Sequence, residues 1–234
     1  MSGIEGAPRR KVMPYFLLID MSGSMNGNRI AAVNTAMNKL WPLLREISVK
    51  EPELDIQVRA ITFGKNGAQW KVGSRAQGVS GENFSWTDIP TYEPDGGTPT
   101  EEAVEMLLSC VEDDVYREYL GPRFAIPLFI LISDGESNRP DALVAAIDKL
   151  RATRVGAAAV YVSVGIETTG NQRAATEMGY FGRNGFRDCT DALLNKLADL
   201  VQTATYNTAN ANKTPGVTGA DIGDVLDEDD FDAQ

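Results

Sequence analysis

Three short polar loops hold the residues of this sequence best suited to chemistry. The first, Asp20-Met21-Ser22-Gly23-Ser24, sets one carboxylate and two hydroxyls on alternate positions, so an extended loop turns all three toward one point. The second is Asp95-Gly96-Gly97-Thr98-Pro99-Thr100-Glu101 and the third Ser133-Asp134-Gly135-Glu136. Each loop alone has a sufficient local explanation. Ser22 or Ser24 can cap a following helix, Thr98-x-x-Glu101 with Pro99 at the first helical position spells a capping box, and Asp134-Gly135 suits a turn. Taken together, however, Asp20, Ser22, Ser24, Thr98 and Asp134 offer only hard oxygen donors. Such a set suits a six-coordinate Mg²⁺ or Mn²⁺ with water completing the shell, Ca²⁺ being an alternative. Two carboxylates on one rim also repel unless a cation or a proton lies between them. The sequence contains no histidine, which excludes Ser-His-Asp and Cys-His nucleophiles and every His-ligated zinc or iron site. Its two cysteines, Cys110 and Cys189, read as buried thiols.

The elements around these loops must bring them to one rim. Short apolar runs alternate with helical periodicities, the mark of a parallel α/β sheet. Tyr15 to Ile19 reads as a fully buried strand, and Ile30, Val33, Met37, Leu40, Trp41, Leu44 and Ile47 form the stripe of an amphipathic helix, with Pro42 predicting a kink or early break. Ile56 to Phe63 reads as a strand nearer an edge, Asn83 to Ile89 as a short antiparallel strand, and Thr98 to Tyr119 as the second long helix. Phe124 to Ser133 and Ala157 to Gly165 are buried strands flanking a helix that starts at Pro140. A helix from Asn171 to Gly179, a strand from Gly185 to Cys189 and a helix from Asp191 to about Thr203 complete the pattern. The order predicts a doubly wound three-layer α/β sandwich with a mostly parallel central sheet and one short antiparallel edge strand. In such sheets ligands bind outside the carboxyl ends of the strands, where all three loops fall.

Composition bounds the rest. With 234 residues, 43% hydrophobic and 24% charged, the chain can bury a full core without disulfide staples. Acidic residues number 33 against 22 basic, for a net charge of -11, the wrong sign for a nucleic-acid binder. Residues 1–11 read as a flexible leader, 12–205 as the folded domain and 206–234 as a disordered acidic tail with seven acids and one lysine. No apolar run approaches the length of a membrane span, so the expected location is the cytoplasm. The stretch Trp70, Lys71, Arg75, Phe84 and Trp86 reads as edge packing rather than base stacking.

The three loops together resemble the metal ion-dependent adhesion site of von Willebrand factor A (VWA) domains: Asp-x-Ser-x-Ser, then a Thr, then an Asp. Asp20, Ser22, Ser24, Thr98 and Asp134 match the five positions, and the resemblance covers about residues 12–205. It implies that the hydroxyls contact the ion and that Thr98 and Asp134 exchange between direct and water-mediated contact. It further implies that a partner protein supplies a Glu or Asp to the vacant coordination position. Within that family, the run Pro14 to Met25 resembles the bacterial TerY group, which implies a tellurium-resistance or stress-response complex with a protein kinase and a PP2C-type phosphatase.

The expected function is therefore a metal-dependent protein-binding module and not an enzyme. The alternative is a metal-assisted phosphotransferase or hydrolase using the same ion. That reading lacks a second Asp where Ser22 stands and lacks a Walker-type phosphate loop, leaving Glu136 and Asp95 as general-base candidates. The tail from Val225 to Asp232 could dock on a rim as an acidic peptide, though a solvated tail explains it as well.

Overall fold

The computed structural model describes residues 10–90, 96–112, 124–168 and 170–226. The chain runs β1 (Lys11–Asp20), α1 (Asn28–Lys50), β2 (Leu54–Gly64), β3 (Gly67–Val72), β4 (Val79–Ser80), α2 (Thr100–Glu112), β5 (Leu128–Ser133), α3 (Pro140–Ala152), α4 (Arg154–Ala157), β6 (Val160–Ile166), α5 (Gln172–Phe181), β7 (Phe186–Cys189) and α6 (Leu197–Ala211). Single 3-10 turns lie at Gly23–Met25 and Gly219–Asp221, and a longer one at Asp191–Lys196.

The strand order is β3-β2-β1-β5-β6-β7, with β4 also on β2. All pairings are parallel except those of β3 and β4 with β2. The unbroken apolar runs are explained by the layers. Met13, Tyr15, Leu17 and Ile19 of β1 enter the core under α1 and α6, while Val12, Phe16 and Leu18 enter the core under α2, α3 and α5. Across the second core, Phe16, Phe129, Tyr161 and Phe181 stack edge to face at 5.5, 5.2 and 5.5 Å. Each such pair adds about 1 kcal/mol beyond area burial. Cys110 and Cys189 are buried free thiols, and burial pushes Cys189 up to about 12.

Several expectations shift in detail. The antiparallel strands are Gly67–Val72 and Val79–Ser80 rather than residues 83–89, which form no strand; Trp86 there donates to Asn34 Oδ1 at 3.1 Å. β2 lies one strand in from the edge, as expected, between β1 and the antiparallel β3 and β4. Pro42 does not break α1, because it stands on the exposed face, where the carbonyl of Asn38 that loses its donor faces water. The helix predicted over Thr98 to Tyr119 is seen as Thr100–Glu112, and residues 113–119 lie outside the described set.

The largest difference concerns the end of the domain. The expected boundary at residue 205 falls inside α6, and residues 217–226 pack on the body instead of leaving it. Asn184, itself buried, clasps this strap by donating Nδ2 to Gly219 O (2.9 Å) and Ile222 O (2.7 Å). Arg187 pairs with Asp224 at 3.0 Å and donates to Leu226 O at 2.9 Å, and Val225 and Leu226 are buried. Low apolar content suggests disorder, but two apolar residues suffice where a preformed slot and backbone acceptors receive them. Residues 227–234 and 1–9 lie outside the described set. The strap predicts that Leu226→Ala lowers the unfolding free energy by about 3 kcal/mol in urea titration. A solvated tail would show no change.

Candidate metal centre

The centre forms where β1 and β5 end side by side, the point from which the chain leaves β1 toward β2 on one flank and β5 adjoins on the other. Asp20 is the last residue of β1 and is fully buried. Its Oδ1 accepts from Ser22 N at 2.7 Å and its Oδ2 from Ser133 Oγ at 2.6 Å. Ser22 Oγ contacts Ser24 Oγ at 3.1 Å, and Ser24 Oγ donates to Asp134 Oδ1 at 2.8 Å. The hydroxyls of Ser22 and Ser24 and the carboxylate of Asp134 therefore form one run of oxygens, tied to Asp20 by the backbone N–H of Ser22.

Thr98 reaches the same rim from the other face. A Cβ on Gly135, the residue after Asp134, would stand 3.1 Å from Thr98 Oγ1. The expected capping box does not form. Thr98 N donates to Asn138 Oδ1 (3.0 Å) and Asn138 N to Thr98 O (3.0 Å), while Glu101 accepts from Ser137 Oγ (2.7 Å) and Arg139 Nε (2.9 Å). Asn138 thus locks the second loop to the third. It does so at a glycine, since a Cβ on Gly97 would fall 2.3 Å from Asn138 Oδ1.

Burial pushes Asp20 up to about 6; hydrogen bonds from Ser133 and from Ser22 oppose this, and the nearby Asp134 adds to it. A buried carboxylate with so few neutralising partners is a group that gains from a cation. No cluster of three or more His, Cys, Asp or Glu among the described residues could hold a metal, so such an ion would depend on hydroxyl and water ligands beside two carboxylates. That donor set fits Mg²⁺ or Mn²⁺.

The structure adds residues that spacing could not reveal. Ser133 fixes Asp20, Asn138 fixes Thr98, and Arg29 in the first turn of α1 reaches both Asp134 and Glu167. Only Ser133 carried a signal, its place directly before Asp134. Glu136, a general-base candidate, is paired with Arg173 at 2.9 Å, and Asp95 lies outside the described residues.

The vWF domain of the type V pili tip protein Mfa5 from Porphyromonas gingivalis superposes with a TM-score of 0.62 over 91% of this chain and 99% of its own, at 12% identity. The chain has a von Willebrand factor A fold. The SpRpn10 VWA domain matches at TM-score 0.52 and 12% identity, covering 81% of this chain and 94% of its own. The pilus adhesin SpaC from Lactobacillus rhamnosus GG matches in its open conformation at 0.58 and 14% identity, over 85% of this chain but 31% of the adhesin. No protein-family profile and no curated protein sequence matches the chain. In this fold Ser22, Ser24 and Asp134 are in hydrogen-bond contact, Asp20 is bonded to Ser22 N, and Thr98 lies beside Gly135.

The raised Asp20 carries a sign. Its folded pKa of about 6 lies above the ordinary 3.8, so the native state binds the proton more tightly than the unfolded chain and loses stability as pH rises through 6. Asp20→Asn keeps the side chain's shape and removes the ionisation. In chelator at pH 7.5 this variant is expected to be more stable than wild type by up to about 3 kcal/mol, the gain vanishing below pH 4, as read by thermal denaturation across pH.

Proposed function

We propose that this VWA-fold chain is a metal-dependent protein-binding module, in which Asp20, Ser22, Ser24, Thr98 and Asp134 hold Mg²⁺ or Mn²⁺. The observation that carries the reading is the run of oxygens from Ser22 through Ser24 to Asp134, tied to the buried Asp20 by the backbone N–H of Ser22. Asp20 supplies charge from below and is held rigid by Ser22 N and Ser133 Oγ. Ser22 and Ser24 supply neutral oxygens, which leave positive charge on an ion undiminished. Bound there, the ion offers an open coordination position to a carboxylate of a partner. One carboxylate aimed at one position gives orientation and partner choice with little buried area.

Binding rather than catalysis is favoured by the company the nearby acids keep. Glu136 and Glu177 are tied to Arg173, and Glu101 to Arg139 and Ser137, which holds them as structural groups and not as bases facing a substrate. Mfa5 is described as a pilus tip protein and SpaC as a pilus adhesin, so the fold occurs in proteins that attach to others. The narrower resemblance to the TerY group points to a stress-response complex with a protein kinase and a PP2C-type phosphatase, in the cytoplasm. No described helix is long and apolar enough to cross a membrane.

The test retains partners from native lysate on immobilised wild-type and Asp20→Ala protein, each with Mg²⁺ and with EDTA. A protein kept only by wild type with Mg²⁺ is the expected outcome, and circular dichroism of Asp20→Ala should show an intact fold. Equal retention in all four arms overturns the reading.

A further inference from the structure

Arg29 stands where a cation is locally unwelcome. It is the second residue of α1, at the positive end of the helix macrodipole, which favours anions. What holds it there is a pair of carboxylates. Nη1 is on Asp134 Oδ2 and also donates to Ser24 O at 3.2 Å, while Nη2 is on Glu167 Oε2. Glu167 follows β6 and has a φ of +55°, the one non-glycine residue with positive φ among those described. Its backbone N–H donates to Cys189 O at 2.9 Å, which ties the strained turn to the end of β7. A glutamate in the left-handed region is strained, and its carboxylate is on Arg29.

Arg29 therefore bears on any cation that approaches Asp134. Both oxygens of Asp134 are engaged, Oδ1 by Ser24 and Oδ2 by Arg29. Each oxygen keeps a second lone pair, but a divalent ion that takes Asp134 comes close to the guanidinium already seated on it, and the two cations repel. Ser24 is itself a donor to the ion, so its hydroxyl turns without leaving the site. Arg29 is the group that has to move, and the fork of a guanidinium lets it release one carboxylate while keeping the other.

We infer that Arg29 is the built-in counter-cation of this rim, neutralising Asp134 in the metal-free domain and withdrawing onto Glu167 when a divalent ion takes Asp134. The inference rests on the reading of the rim as a metal centre. Arg29 then sets how weakly the rim holds its ion, and Glu167 is the positioning residue that gives Arg29 somewhere to go.

The experiment titrates Mn²⁺ into chelator-stripped full-length protein at 150 mM KCl, with free Mn²⁺ read by electron paramagnetic resonance. The proteins are wild type, Arg29→Gln, Glu167→Gln, the double variant and Asp20→Ala. Arg29→Gln is expected to bind about tenfold more tightly, the size of one charge-assisted hydrogen bond. Glu167→Gln is expected to bind several-fold more weakly than wild type, yet to have no effect when Arg29→Gln is already present. Equal losses from Glu167→Gln in both backgrounds would mean that Glu167 acts only as a nearby charge, and would overturn the inference. So would an unchanged or weaker affinity of Arg29→Gln. If Arg29→Gln does not fold, Arg29→Met takes its place in both backgrounds, with the same expected and overturning outcomes. Should wild type and Arg29→Gln bind no more Mn²⁺ than Asp20→Ala, the metal reading itself falls and takes the inference with it.

Discussion

One carboxylate at the end of an almost wholly buried strand organises this molecule. Asp20 is buried at the tip of β1 and touches the first residues of its own loop through Ser22 and the end of β5 through Ser133. Removing a carboxylate from water is expensive, and the two donors offset only part of that cost. The remainder stays as a raised pKa, to which the second carboxylate, Asp134, adds, and an arginine is seated over that second charge. The neighbouring loops are then fixed in turn, Asn138 pinning Thr98 and Ser137 joining Glu101 of α2 to Glu177 of α5.

The sheet makes this arrangement possible. Its two cores are complete without the rim, since β1 fills one layer with Met13, Tyr15, Leu17 and Ile19 and the other with Phe16 and Leu18. Polar groups at the carboxyl ends therefore carry no packing duty and are free to be arranged by charge. The same division explains why the edge-to-face aromatic series from Phe16 to Phe181 runs across the middle of the sheet and the acids gather at its end.

How much of this was legible in the sequence depends on the kind of signal. Buried parallel strands announce themselves as unbroken apolar runs, so Tyr15 to Ile19 and the runs after Phe124 and Ala157 were readable. The five rim residues were readable because each sits directly after a strand or before a helix, where position along the chain nearly fixes position in space. Arg29, Glu167 and Asn138 were not, since an ion pair or a side-chain lock between distant loops leaves no periodic trace. The packed strap at 217–226 failed to show for a related reason: Val225 and Leu226 are a weak signal until the slot beside Asn184 exists. The extra antiparallel strands at 67–72 and 79–80 are half exposed and lack strong alternation.

The distances in sequence closed by this fold have a temporal meaning. Tyr15 Oη meets Thr205 Oγ1 at 2.8 Å across a separation of 190 residues, and the slot for Leu226 is built from the turn before β7. On a ribosome α1 and β2 follow β1 directly and cover one face and one flank of it, while its other partners come later. Its flanking strand β5 and its covering helix α6 both come late, and the strap comes last of all. The rim can take its geometry only after β5 has inserted beside β1, so a nascent chain passes through an interval in which the strand bearing Asp20 is paired with β2 on one flank and open on the other. Such a chain places its demand on chaperones during synthesis, and least on them once residue 226 has emerged.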